Sequence, residues 1–322
     1  MPIRGTPGSK ERGNVVAILE VNHLNISFST YAGLFRQRNV AVIRDLHLTA
    51  ESGSLVAVVG ASGSGKSLLA HAILGILPNN ASVSGSIRYD GEELTPDRLQ
   101  KLRGKEIAFV PQSVKFLDPL MTAGALVRSA ARGGEAKEQM RRAFARYRLA
   151  PETDRLYPHQ LSGGMARRVL AAAAAVAGAN LIVADEPTPG LDAAAVQETM
   201  GHLRELANEG AAVLLITHDI EAALAVADRI AVFYGGTVIE TALAADFAGE
   251  GQALRHPYTR ALWKALPRNG FVSLPAGKTS AIAVKSGCPF APQCPQATEA
   301  CLAAMPGLRE LRGGTVRCVH AE

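Results

Sequence analysis

The segment GASGSGKS, Gly60–Ser67, constrains the fold of this chain more than any other stretch of its sequence. It fits the pattern G-x-x-x-x-G-K-[ST] and lies between a short apolar run, Leu55–Val59, and the sequence SLLAHAILGIL, whose leucines recur at helical spacing. Its glycines let successive backbone N–H groups surround phosphate groups, and the start of the following helix adds positive potential. The segment therefore predicts a strand, a phosphate-binding loop and a helix, in that order.

The side chains of this loop have separate expected roles. Lys66 would reach the terminal phosphates of a nucleotide, and Ser67 would hold a magnesium ion. Further phosphate contacts would come from Gly60, Ser62, Gly63 and Gly65. A merely flexible Gly/Ser loop is the alternative, and the flanking strand and helix argue against it.

Short apolar runs alternate with helical stretches through the rest of the chain. The runs Ile107–Val110, Leu181–Ala184 and Val213–Ile216 favour β-strands, and their separation by helices predicts a parallel sheet covered by helices. Alternating apolar segments that begin at Ala17 and Val40 instead predict an antiparallel β region. The fold class is therefore α/β.

Composition shifts along the chain predict its domain boundaries. Residues 1–16 read as a flexible N-terminus, and residues 17–265 as a nucleotide-binding domain. Within that domain, residues from about 116 to 175 lack β-branched runs and are rich in Ala, Arg, Glu, Met and Leu, which predicts a helical insertion. Pro, Gly, Ser and Cys then replace the periodic pattern, so residues 266–322 are expected to form a small irregular module.

Bulk properties exclude several classes of protein. The longest nearly apolar run, Val169–Ala184, is mostly alanine and falls short of the roughly 20 residues that span a bilayer. The N-terminal residues carry no apolar core of the signal-peptide kind, so we expect a cytosolic chain. The net charge is +5, yet the basic residues are scattered and only 5% of residues are aromatic, which argues against nucleic acid as a partner.

Two adjacent carboxylates end the apolar run of LIVADEPTPGLD. A buried strand that ends in Asp185 and Glu186 places charge at the sheet edge where ligands of open α/β sheets bind. We expect Asp185 to support magnesium, and Glu186 to polarise the water that attacks the terminal phosphate. Alone, the pattern also fits a strand end followed by an acidic helix cap; its occurrence with the phosphate loop favours the functional interpretation.

A second helix start of the anion-binding kind stands in LSGGM. Ser162, Gly163 and Gly164 precede the Ala-rich run MARRVLAAAAAVA, so a serine hydroxyl and free N–H groups would be available to phosphate. Taken alone, an ordinary capped helix is the simpler interpretation.

In this order the motifs resemble those of the ABC ATPase family, and the resemblance covers roughly residues 17–320. The matching motifs are the Walker A loop Gly60–Ser67, Gln112 in FVPQS, the signature Leu161–Met165, the Walker B strand Leu181–Asp185, the D-loop Gly190–Asp192 and His218 in LLITHD. The resemblance implies a P-loop ABC ATPase fold with an antiparallel β subdomain, a RecA-like parallel-sheet core, a helical subdomain and the small Cys-containing module.

In that family two cassettes pair head to tail and enclose ATP. The resemblance therefore implies that Gln112, a further magnesium ligand and catalytic group, joins Lys66, Ser67, Asp185, Glu186 and His218 in one site, with Ser162–Gly164 of the other cassette facing it. His218 would sense the γ-phosphate; an isolated histidine would otherwise be read as structural or pH-sensitive. An aromatic residue of the early β region stacks on adenine in relatives, and both Phe28 and Tyr31 qualify, with Tyr31 taken as the candidate.

Three segments resemble the oligopeptide, dipeptide and nickel importer ATPases: YPHQLSGGM, the stretch His256–Pro267 and CPFAPQCP. The resemblance implies two transmembrane permeases, a second related ATPase or a second copy of this chain, and an extracytoplasmic binding protein. It places the chain on the cytoplasmic face of the membrane, powering import of peptides, nickel or metal-chelator complexes. The sequences MARR and TPGLD depart from the usual pattern without removing a catalytic group. A soluble ATPase subunit of a phosphonate-lyase type of complex is the alternative.

All cysteines lie near the end of the chain, at Cys288, Cys294, Cys301 and Cys318. This tail is too small to bury an adequate core alone, and a four-thiolate metal site would add on the order of 10 kcal/mol of folding free energy. Free or oxidised thiols are the alternative. The spacing lacks C-x2-C knuckles, and relatives of the importer type hold a 4Fe-4S cluster in this tail, so we expect iron-sulfur, with zinc as the second choice.

Overall fold

Strands of two different hydrogen-bonding patterns build this molecule. The computed structural model describes residues 17–31, 37–112, 117–272 and 286–322. The predicted flexible N-terminus, residues 1–16, lies outside the described residues.

The strands in chain order are β1 (Ala17–Tyr31), β2 (Gln37–Glu51), β3 (Leu55–Val59), β4 (Ala81–Tyr89), β5 (Glu92–Glu93), β6 (Ile107–Val110), β7 (Leu181–Asp185), β8 (Ala212–Thr217), β9 (Arg229–Tyr234), β10 (Thr237–Leu243), β11 (Arg309–Leu311) and β12 (Gly314–Val316). The smaller sheet is antiparallel and has the order β2-β1-β4-β5. The larger sheet has the order β11-β12-β10-β9-β3-β8-β7-β6, and β9 through β6 in that order run parallel.

The helices are α1 (Lys66–Leu74), α2 (Pro96–Leu102), α3 (Ala123–Ala130), α4 (Ala136–Arg146), α5 (Gly163–Ala177), α6 (Ala193–Asn208), α7 (Ile220–Leu224), α8 (Pro257–Lys264) and α9 (Glu299–Ala303). Short 3-10 turns occupy Pro151–Arg155, Pro158–Gln160, Ala244–Asp246, Pro267–Asn269 and Ala291–Gln293. Within the described part of the chain, no helix is both long and apolar enough to cross a membrane.

The central strand β3 is buried on both faces, as its unbroken apolar sequence predicts. Val56 and Val58 face the small sheet and α1, where they join one hydrophobic core. Leu55, Ala57 and Val59 face α6 and the C-terminal segments in a second core. The strand thus holds both layers in register, and it positions the phosphate-binding loop that follows it.

Strand β1 alternates buried and outward residues, with one interruption. Leu19, Val21, Leu24 and Ile26 are all fully buried, so the spacing changes from two to three at residue 23. The pairing with β2 shifts register at the same place, which identifies a β-bulge. The bulge turns the side chain of His23 outward, where it is exposed.

The predicted helical insertion forms a separate small core. Helices α3, α4 and α5 pack around Val127, Phe144, Tyr147 and Val169. These three helices, with two 3-10 turns and loops between them, lie between Ala123 and Ala177.

The segment predicted to be irregular adds regular structure to the main sheet. Its hairpin β11–β12 pairs through β12 with the edge of β10. A buried arginine pins this hairpin: Arg255 donates to the carbonyl oxygens of Leu311 and Arg312 and forms an ion pair with Glu240, which is fully buried. Glu240 also accepts the backbone N–H groups of Arg255 and His256 at 2.8 Å each. Because each buried charge has several partners, the arrangement avoids the penalty of an isolated ion.

Candidate nucleotide-binding site

Four neighbouring parallel strands end at one edge of the main sheet. Since β3, β8, β7 and β6 are adjacent and parallel, their C-terminal ends lie side by side. The residues at these ends are Gly60 after β3, His218 after β8, Asp185 at the end of β7 and Gln112 shortly after β6. The fold therefore places four sequence-predicted positions on one edge.

Glycine is required in the loop at three positions. A Cβ on Gly60 would lie 2.4 Å from the carbonyl oxygen of Phe233 on β9, so only glycine fits there. Gly63 and Gly65 have φ values of 72° and 102°, in the left-handed region that side chains rarely adopt. A Cβ on Gly65 would also lie 2.8 Å from Val42 of β2. The loop thus turns tightly into α1, against both sheets.

Lys66 is held inside the loop that precedes it. Its ammonium donates to the carbonyl oxygens of Gly60 and Ala61, each at 2.9 Å, and lies 4.0 Å from Glu186 Oε1. The residue is only 4% exposed, and burial lowers the pKa of its ammonium against the raising effect of Glu186 and Asp185. The lysine therefore presents a fixed, poorly hydrated positive charge at the sheet edge.

Ser67 and Asp185 form the next link. The Ser67 hydroxyl donates to Asp185 Oδ1 at 3.0 Å. Burial raises the pKa of the Asp185 carboxyl, and the hydrogen bond from Ser67 offsets part of that rise. A hydroxyl and a buried carboxylate, both oxygen donors, are thereby held together beside the phosphate loop.

Glu186 and His218 complete a continuous set of polar contacts. Glu186 Oε2 lies 2.8 Å from His218 Nδ1, and Glu186 itself is buried while the imidazole is half exposed. The backbone of Glu186 has φ of 45°, and its N–H donates to the carbonyl of Ile216 at 2.8 Å. A non-glycine residue in this conformation is strained, a condition that clusters at functional sites. Because of this backbone turn, the side chains of the two neighbours have different partners: Asp185 contacts Ser67, and Glu186 contacts His218.

The signature residues stand apart from these contacts. Ser162 caps α5 by accepting the N–H of Met165 at 3.2 Å, and Gly163 and Gly164 form the first turn. Ser162 and Gly163 are exposed, as is Gln112. The capped helix predicted from LSGGM is therefore present, with its N-terminus open to solvent.

The adenine contact stays a prediction. Tyr31 ends β1, and its side chain lies outside the part that the structure describes. Phe28 is half-buried and packs against the core between the sheets.

Arg167 is a residue of the site that sequence reasoning missed. It lies on α5, and its guanidinium donates to the carbonyl oxygens of Pro187 and, at 2.6 Å, Pro189. Both prolines lie within three residues after Glu186, so Arg167 connects α5, which Ser162 caps, to the segment beside the carboxylates. The sequence MARR marked this position as unusual, but only the fold shows what the arginine touches.

The cysteine tail forms a second polar region. The four thiols line one small cavity together with His256 and His320. They are Cys288, Cys294, Cys301 and Cys318. The fold thus brings the four cysteines together, and their binding of a metal stays a prediction.

His256 faces this cavity and is 1% exposed. Burial lowers the pKa of its imidazole to about 3, so the ring is neutral. Nδ1 accepts the N–H of Tyr258 at 3.0 Å, which leaves the proton on Nε2, 3.9 Å from the sulfur of Cys288. His256 therefore donates to Cys288, whose own thiol pKa is raised to about 11 by burial.

We predict that Asp185→Asn stabilises the nucleotide-free chain at neutral pH. Burial raises the folded pKa of Asp185, so its ionised form destabilises the fold, and this cost disappears once pH falls below the ordinary carboxyl pKa of about 3.9. The free energy of unfolding, from urea titrations, should rise for the variant near pH 7, and the gain should shrink toward about pH 4. Asp192→Asn at the exposed cap of α6 is the control and should show no such gain. Equal stability of wild type and Asp185→Asn near pH 7 would contradict the expected cost.

Known proteins match this chain along nearly its whole length. A family model described as ABC transporter matches residues 43–189, and one for the oligopeptide/dipeptide transporter C-terminal region matches residues 239–301. The oligopeptide transport ATP-binding protein OppD of Escherichia coli is 33% identical over 94% of this chain and 92% of its own. The dipeptide transport ATP-binding protein DppD of Escherichia coli is 34% identical over 95% of this chain and 97% of its own.

Solved structures agree with the fold described above. The ATP-binding cassette MJ0796, in a dimeric post-hydrolysis state with ADP and phosphate, aligns with a TM-score of 0.62 at 27% identity. The alignment covers 70% of this chain and 98% of that cassette. The expected P-loop ABC ATPase fold is thus confirmed, and with it an enzyme that binds and hydrolyses ATP. The chain belongs to the ABC transporter family, among the ATP-binding subunits of the oligopeptide and dipeptide type.

Proposed function

We propose that this chain hydrolyses ATP to drive a membrane importer of oligopeptides or dipeptides. The observation that carries the proposal is the chain of contacts from Lys66 through Glu186 to His218, with Ser67 and Asp185 beside it, at the edge of the parallel strands. The names of the relatives refer to peptides, so we favour peptides over nickel or metal-chelator complexes as cargo.

Ser67 and Asp185 suit a magnesium ion. Their oxygens lie 3.0 Å apart, and hard oxygen donors of this kind are what magnesium prefers. Magnesium, when bound, would neutralise charge on the terminal phosphates of ATP. Gln112 is assigned to the same ion through its motif, since it lies in the loop after β6 at the same sheet edge.

Three side chains would act on the γ-phosphate. Lys66, held at the loop, binds the phosphate oxygens. Glu186 accepts a hydrogen bond from a water molecule and orients it toward phosphorus. The water oxygen bonds to phosphorus as the bond from phosphorus to the leaving oxygen of ADP breaks, and Glu186 takes up the proton of the water. His218, half exposed and 2.8 Å from Glu186, is placed to hold Glu186 and to contact the phosphate. Buried surroundings strengthen these charge interactions.

A second cassette would complete the site. The exposed N-terminus of α5, with Ser162, Gly163 and Gly164, offers a hydroxyl and free N–H groups to the nucleotide of a partner, either a related ATPase or a second copy of this chain. Arg167 would transmit the position of α5 to the segment after Glu186 within one cassette.

The proposed importer function requires membrane partners. We propose two permeases, contacted by the helical subdomain of α3–α5 and the nearby Gln112 loop, and an extracytoplasmic binding protein that delivers cargo to them. The chain would then sit peripherally on the cytoplasmic face of the membrane. The match of residues 239–301 to the transporter C-terminal region favours this over a soluble phosphonate-lyase type of complex.

For the cysteine tail we propose a 4Fe-4S cluster with a structural or regulatory role. Among the described residues, no three of these sulfurs lie all within 4.8 Å of one another. Thiolates on one zinc ion, at Zn–S of about 2.3 Å, would lie only ~3.8 Å apart, whereas thiolates that bind different irons of a cluster are farther apart. His256 would donate a hydrogen bond to the Cys288 sulfur and so tune such a cluster.

Membrane extraction tests the function as a whole. A tagged native chain, extracted in mild detergent, should co-purify with two permeases and a second ATPase or a second copy of itself, identified by mass spectrometry. Recovery of soluble enzymes without permeases would instead support the metabolic-complex alternative.

We predict that Glu186→Gln abolishes turnover while preserving ATP binding. The substitution removes the water-polarising carboxylate and leaves the phosphate loop intact, so kcat should fall about a hundredfold or more. Phosphate release and nucleotide-binding assays check this, with the exposed Glu250→Gln as a matched control. Hydrolysis by Glu186→Gln at the wild-type rate would show that Glu186 has another role.

We predict that Cys294→Ser lowers the metal content and the thermal stability of the tail but leaves nucleotide binding intact. Iron, acid-labile sulfide and zinc are measured in the wild type and the variant. Iron with sulfide supports the cluster, and zinc alone supports the alternative. Equal metal content in both chains would remove the four-thiolate proposal.

A further inference from the structure

A second group of metal-binding side chains lies at the bulge between β1 and β2. His23, Asp45 and His47 bring three ligand atoms within 4.8 Å of one another. Asp45 Oδ1 lies 2.7 Å from His23 Nδ1 and 3.2 Å from His47 Nε2, and the two nitrogens are 3.2 Å apart. These residues belong neither to the nucleotide site nor to the cysteine cavity.

The backbone holds two of the three ligands in strained conformations. His23 and Asp45 have φ values of 50° and 44°, although neither is glycine. Asn25 locks this geometry, because its amide donates to the carbonyl of His23 at 2.7 Å and accepts the N–H of Asp45 at 2.9 Å. Gly85 of β4 allows close approach, since a Cβ there would lie 2.3 Å from the carbonyl oxygen of His23. The site is therefore built by several neighbours.

The distances fit a single cation. Ligand atoms bound to one ion at about 2.0–2.1 Å lie ~2.9 to ~3.4 Å apart in octahedral or tetrahedral geometry. The observed separations of 2.7, 3.2 and 3.2 Å are close to this range. Each of the three contacts is a hydrogen bond in some pair of tautomers, including the contact between the two nitrogens. No single pair of tautomers satisfies all three, because the carboxylate oxygen only accepts. A shared cation accounts for all three.

The orientation of the carboxylate and the access of solvent also suit a cation. Arg317, 3% exposed, pairs with the other oxygen of Asp45 at 2.8 Å and so orients the carboxylate toward the histidines. The His23 side chain is 74% exposed, whereas that of His47 is 17% exposed. Solvent can therefore reach the site and supply the remaining ligands.

We propose that His23, Asp45 and His47 bind a divalent transition-metal ion of the zinc class. Two imidazoles and one carboxylate are a donor set that such ions take, with water in the open positions. The ion ties β1 to β2, and through Arg317 it ties both strands to the end of the C-terminal hairpin.

Cobalt(II) is the probe that separates this site from the cysteine tail. The tag-free full-length chain is titrated with Co²⁺ and followed by absorption, because thiolate ligands give an intense sulfur-to-cobalt band that nitrogen and oxygen ligands lack. Wild type should bind one Co²⁺ without that band. His23→Ala and Asp45→Asn should weaken this binding at least about tenfold. Asparagine tolerates the left-handed backbone at residue 45. Arg317 keeps its hydrogen bonds to the carbonyl oxygens of Asp45 and Pro306 in this variant.

Two control variants test whether the loss of cobalt binding is specific to the proposed site. His159→Ala removes an exposed histidine elsewhere and should bind cobalt like wild type, and Cys294→Ser should leave the cobalt binding that lacks the thiolate band unchanged. Wild-type cobalt affinity in both His23→Ala and Asp45→Asn, or a titration with the thiolate band alone, would overturn the proposal.

Discussion

Strands β3, β8, β7 and β6 pair in parallel, so the C-terminal ends of all four lie at the same edge of the sheet. Parallel pairing fixes the ends of neighbouring strands within about one strand spacing of 4.8 Å from each other. Lys66, Ser67, Asp185, Glu186 and His218 meet because of this pairing, although they are far apart in the sequence. A register slip in any one strand would move its polar residue away from the others and break the packing on both of its buried faces. The apolar faces of β3, buried on both sides, resist such a slip.

Much of this arrangement was predictable because its signals are local. The patterns for a strand, a glycine-rich turn and a helix follow one another in the sequence around Gly60–Ser67. The apolar run before Asp185 has the length and composition of a strand. The order of the motifs then supported the family resemblance and the expected fold, and the comparisons confirm the family and the fold. The individual roles of the site residues are proposals that rest on the contacts described above.

The parts that sequence reasoning missed depend on contacts between distant segments. Arg255 and Arg317 look like ordinary surface cations in the sequence, yet both are buried with carboxylates and carbonyl groups. Arg167 donates to the carbonyl oxygens of Pro187 and Pro189, and only the packing of α5 brings these groups together. The alternation of Asp45 and His47 was a visible signal for one strand face, but the bulge that adds His23 comes from pairing of β1 with β2. No local propensity encodes such pairings.

Arg317 also affects the order in which the chain folds during synthesis. A ribosome makes β2 long before Arg317, and domains start to fold from the N-terminal side as they emerge. Until Arg317 arrives, Asp45 lacks the guanidinium that is held 2.8 Å from its carboxylate, and β10 lacks its neighbour β12. The nascent cassette therefore has an unpaired sheet edge at β10 from the synthesis of Leu243 until β12 emerges, and β12 then covers that edge against association with other chains.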